Sequence, residues 1–85
     1  MWAFTPQRGP GSRLEQGVVQ SLTPGTIVLE GRGGTLRLEL DARTRVFVNG
    51  SARSIREVQP GFVAVVRRSP GGPVREVWAF GHPAG

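Results

Sequence analysis

The chain contains no cysteine, no tyrosine and no lysine, and only one histidine (His82) and one aspartate (Asp41). The lack of cysteine excludes disulfides and thiolate metal sites, while leaving the redox compartment open. The lack of lysine excludes Schiff-base chemistry, and a lone aspartate excludes an aspartate pair. His82 stands between Gly81 and Pro83 at the end of the chain, where termini fray and a general base is not held within reach of a proton. The carboxylates Glu15, Glu30, Glu39, Glu57 and Asp41 are scattered over strands and turns. The expectation is therefore no enzyme, with no catalytic residues, no metal ligands and no cofactor. No apolar stretch approaches the ~20 residues that cross a bilayer. The start, Met1 to Pro10, lacks both the basic n-region and the apolar run of a signal peptide. These absences predict a cytoplasmic protein without a membrane partner.

What is present is one small domain of 85 residues. A chain this short buries roughly 60–65% of its unfolded surface, so its core is thin and rests on sheet pairing and aliphatic packing. Eleven basic residues, all arginine, against six acidic ones give a net charge of +5. That balance favours anionic partners such as nucleic acid, although arginine without lysine is also what GC-rich coding places at exposed positions.

Residues 1–14, with Pro6, Gly9, Pro10 and Gly11, read as a flexible or pairing arm; 15–81 read as the folded domain and 82–85 as a tail. Within the domain, short β-type runs are separated by turn residues. Gln16–Leu22 is the first, and Thr23-Pro24-Gly25-Thr26 has type II turn chemistry. Ile27–Leu29 follows, and Gly31-Arg32-Gly33-Gly34 supplies a hairpin loop. A phosphate-cradling role for that loop would need a helix after it, and a strand follows instead. Thr35–Leu40 alternates cleanly, with Leu36, Leu38 and Leu40 inward. Thr44–Asn49 is the fourth run and Asn49-Gly50 a tight turn. Ser54 to Glu57 has capping-box spacing and is halted by Pro60-Gly61, which leaves room for one helical turn. Phe62–Arg67 and Val74–Phe80 complete the series. The fold predicted is all-β: a small antiparallel six-stranded OB-like barrel with one short helical turn before the fifth strand.

The rhythm Gly17-Val18-Val19, Ile27-Val28-Leu29, Leu36-Arg37-Leu38, Thr44 to Gly50, Ile55 to Gly61, Val65-Val66 and Val77-Trp78-Ala79 resembles a bacterial domain-of-unknown-function family of small OB-like β-barrels. The resemblance covers roughly residues 15–80. It implies the barrel architecture, a threonine opening the middle strand and an alanine in the last one, and it brings no active site. Members of that family are often exported and sometimes tandem, whereas this chain carries one copy.

Two candidate surfaces emerge. For single-stranded DNA or RNA the candidates are Arg43, Arg45, Arg53, Arg67, Arg68 and Arg75, with Phe47 as a stacking platform. If Val46 and Val48 point inward, Arg45 and Phe47 share the outer face; the opposite register puts Phe47 in the core. Core is the preferred place for both Phe47 and Phe62. For a protein partner, or for self-association through the arm, the candidates are Trp2, Phe4, Trp78 and Phe80. Both tryptophans lie in identical Trp-Ala-Phe tripeptides. If Val77 and Ala79 face the core, Trp78 and Phe80 lie outside with Val74, as an apolar patch that calls for a partner. The alternative is a chance repeat, with Trp78 packed inside.

Overall fold

The computed structural model describes residues 13–82. They form seven strands: β1 (Arg13–Thr23), β2 (Thr26–Gly31), β3 (Gly34–Glu39), β4 (Arg45–Val48), β5 (Ser51–Ala52), β6 (Val63–Arg68) and β7 (Val74–Phe80). A single 3-10 turn, Ile55–Glu57, lies between β5 and β6. The strands make one mixed sheet in the order β3-β2-β1-β6-β7-β4-β5, which does not close. The all-β expectation holds; the six-stranded closed antiparallel barrel does not. Alternation reveals that a strand exists, but not which strand it pairs with. Here β4 pairs β7 in parallel, and β3 and β5 each have one neighbour among the described residues.

The two-residue β5 was missed because it is too short to show a period. Its signal was the turn: Asn49 (φ 51°) and Gly50 (φ 88°) are both left-handed, the geometry of a type I′ hairpin, which returns the chain antiparallel. The Pro24-Gly25 link departs from expectation in the other direction. Gly25 is not among the positive-φ residues, so the turn is not type II.

The long β1 organises the sheet. Its first half, Arg13–Val18, pairs β6, and its second half, Val18–Thr23, pairs β2 with a register shift between Val19 and Ser21. The shift bends the strand, so the two arms of the sheet share one inner face. That face is a single aliphatic cluster: Val19, Ile27, Leu29, Leu38 and Leu40 from one arm, and Val46, Ala64, Val66, Val74, Val77 and Ala79 from the other. Phe62 and Val58 close it from the connection before β6, so Phe62 is core, as expected. Leu36, Leu38 and Leu40 also point as the alternation requires, with Leu36 partly buried.

Where β1 changes partners, the backbones nearly touch. A Cβ on Gly17 would lie 2.7 Å from the Glu30 carbonyl oxygen, and one on Gly31 would lie 2.6 Å from that of Gln16. Glycine is required there by space.

Two clasps fix β4 beside β7. At one end the Thr44 hydroxyl donates to the Val74 carbonyl at 2.7 Å and accepts from the Asp41 N–H at 3.0 Å. At the other, Asn49 Nδ2 donates to the Gly81 carbonyl at 2.7 Å, and the Gly81 N–H donates to Asn49 Oδ1 at 3.1 Å. The capping box forms only in part. Ser54 Oγ accepts from the Arg56 N–H at 3.2 Å, while the Glu57 carboxylate lies 3.9 Å from Arg53 Nε.

Candidate functional site

The outer side of β1, β6, β7 and β4 carries the exposed large hydrophobic side chains of the described residues. Strand alternation sends Leu14, Gln16 and Val18 outward from β1, Val63, Val65 and Arg67 from β6, Glu76, Trp78 and Phe80 from β7, and Arg45 and Phe47 from β4. The registers align these side chains in three rows across the strands. One is charged: Leu14, Arg67, Glu76, Arg45. The next is largely apolar: Gln16, Val65, Trp78, Phe47. The third is Val18, Val63, Phe80.

Leu14, Val18, Val63, Trp78 and Phe80 are exposed, with Trp78 at 40% and Phe80 at 46%. Trp78 is therefore no core residue, and the alternative that packed it inside fails. Phe47 and Trp78 stack with ring centroids 4.7 Å apart and planes inclined by 29°. Phe47 is thus half-buried on the outer face, not in the core. Its parity is set by Val46, which is buried, and by the parallel pairing with β7 that places Phe47 opposite Trp78.

Val74 also departs from expectation: it is buried, not outside with Trp78 and Phe80. Arg67 pairs Glu76 and Arg68 pairs Val74, which leaves Arg75 as the extra residue of a bulge. One inserted residue flips the parity of everything before it.

The predicted arginines do not gather into one patch. Arg45 and Arg67 lie on the outer face with Phe47, Trp78 and Phe80. Arg43 sits exposed in the turn before β4, its N–H donating to Asp41 Oδ1 at 2.8 Å. Arg75 is exposed at the bulge. Arg53 follows Ala52, the register partner of Phe47, so it has the opposite parity, and it faces Glu57. Arg68 is withdrawn to a partly buried pair with Glu15 at 3.1 Å. Trp2 and Phe4 lie outside the described residues.

Sequence reasoning overlooked Glu76, Leu14, Val18, Val63 and Val65. A signal for the β6 pair was available: Phe62 to Val66 is apolar at both parities, which marks a strand contacted on both faces. Glu76 gave none, because its importance comes from its neighbours. Its Oε2 lies 3.2 Å from Arg67 Nη2, and its Oε1 accepts from the Trp78 indole N–H at 3.4 Å.

Among the described residues no group of three or more His, Cys, Asp or Glu could hold a metal ion, and no helix is long and apolar enough to cross a membrane. Fold and face together define a small all-β domain with a solvent-facing aromatic platform. No family model, no curated protein and no solved structure matches the chain.

Proposed function

We propose that the protein is a noncatalytic binding module that holds single-stranded nucleic acid on the outer face of β1, β6, β7 and β4. The observation that carries this is the placement of Phe47, Trp78 and Phe80 on the solvent side of adjacent strands, with Arg45 and Arg67 in the neighbouring row. Unpaired bases stack on such rings irrespective of sequence, while guanidinium groups neutralise the backbone. The net charge of +5 adds long-range attraction. A cytoplasmic location suits such a ligand.

The test is a titration of the full chain with mixed-sequence DNA and RNA single strands at two salt concentrations, read by ligand anisotropy. Binding should weaken steeply with salt as counterions are released. Trp78→Ala should remove roughly 1–3 kcal/mol of binding, the worth of one stacked base, and leave the fold intact. Absence of binding at low salt, or full affinity in Trp78→Ala, refutes the proposal.

A second reading is favoured by the exposed aliphatic residues Leu14, Val18 and Val63, which stacking does not need. In it the same face binds a protein or a second copy, with Trp2 and Phe4 as further contacts. It predicts a concentration-dependent mass that Trp78→Ala or Trp2→Ala abolishes, with no dependence on added oligonucleotide.

A further inference from the structure

The rows of the outer face separate charge from stacking surface, and this arrangement, taken together with the nucleic-acid reading above, defines a path for the strand. The charged row crosses β6, β7 and β4 as Arg67, Glu76, Arg45, and the aromatic row runs beside it as Val65, Trp78, Phe47. Neighbouring rows are about 7 Å apart, two residues along a strand. A single strand laid across the β-strands therefore sets its phosphates over the first row and its bases over the second.

The centre of the charged row is occupied by an acid. The Glu76 carboxylate binds the Arg67 guanidinium through one oxygen and the Trp78 indole N–H through the other, and its side chain is only 20% exposed. Arg45, the register partner of Glu76, makes no ion pair among the described residues. One guanidinium and an indole N–H on a single oxyanion, with an arginine at the register position across from it, are the elements of a phosphate site.

We propose that Glu76 is a built-in competitor for the ligand's phosphodiester: its carboxylate fills an anion position held by Arg67 and the Trp78 indole, beside Arg45 on the neighbouring strand, and a phosphate of the bound strand takes that position. Glu76 thereby holds affinity down and makes binding depend on displacing an internal ion pair. Glu76→Gln keeps the shape and the carbonyl acceptor for the indole while removing the charge.

The experiment titrates a labelled ten-residue oligothymidylate with the full chain as wild type, Glu76→Gln and Glu39→Gln. Glu39 lies exposed on β3 in the other arm of the sheet, so its variant reports the general effect of losing one negative charge. Glu76→Gln should bind about three- to tenfold tighter than wild type at low salt, as expected for one charge removed within several ångströms of a phosphate at a hydrated surface. Its salt slope should steepen by up to about one, and Glu39→Gln should gain clearly less. Wild-type binding that Glu76→Gln leaves unchanged or weakens overturns the role of Glu76 and leaves the nucleic-acid reading standing. So does an equal gain in both variants. If neither wild type nor Glu76→Gln binds at any salt, the nucleic-acid reading falls, and the Glu76 proposal with it.

Discussion

Replacing Gly17 by alanine tests the packing of the whole sheet, because this residue stands where β1 leaves one partner for the other. The added methyl would sit 2.7 Å from the Glu30 carbonyl oxygen and 2.9 Å from its carbon. The atoms it meets are backbone, so no side chain can swing aside. β2 cannot retreat easily either, since it is held by β3 along its length from Thr26 to Gly31. On the far side, Gly17 is paired to Ala64 of β6. Relief therefore requires opening the ladder between the two arms. Overpacking of a well-filled site costs about 1–3 kcal/mol, and this site belongs at the upper end. Alanine recovers roughly 0.4–1 kcal/mol by restricting the unfolded chain. The net loss should be about 2 kcal/mol, a midpoint lower by roughly 8–16 °C for a domain of this size.

Thermal and urea unfolding measure this directly, with an unchanged m-value showing that the folded state keeps its compactness. Gly25→Ala is the matched comparison, because its Cβ would meet nothing within 4 Å and its φ is not positive. It should be neutral or slightly stabilising. A Gly17→Ala protein that melts within about 2 °C of wild type would refute the close approach of β1 and β2.

Two further substitutions probe the clasp and the ion pair. Asn49→Ala removes both hydrogen bonds to Gly81 and places alanine at φ 51°, for an expected loss of about 2 kcal/mol. Asn49→Gly should recover part of that by restoring the left-handed conformation, and equal melting of the two variants would show that φ contributes nothing. Glu15→Ala leaves the Arg68 guanidinium, 17% exposed and with its Nε already unpartnered, without its carboxylate. A loss of about 1–3 kcal/mol in urea unfolding is expected, and a change below about 0.5 kcal/mol would mean that water replaces the pair.

How far the sequence is legible can be seen residue by residue. Leu36, Leu38 and Leu40 announced their inward face because alternation is a local property of the strand. The hairpin at Gly31 to Gly34 and the span of β7 were readable for the same reason. The candidate surfaces were readable as residue types: arginines near Phe47, and a Trp-Ala-Phe tripeptide in a strand. That Phe47 and Trp78 form one platform was not readable. It depends on the parallel pairing of β4 with β7, strands separated by more than twenty residues of chain. The inward turn of Val74 likewise depends on a bulge opposite Arg67 and Arg68, which no alternation pattern of β7 alone contains.

By itself, then, the amino-acid order determined an all-β chain, most of its strands and turns, an aliphatic core and a basic balance, because each of these follows from composition or from neighbours a few positions apart. Only the tertiary structure decided the pairing order, the open mixed sheet and the rows of the outer face. Register between distant strands is set by the packing of many side chains at once, and that register places Glu76 between Arg67 and Arg45 and gathers the two separately predicted surfaces, in part, onto one face.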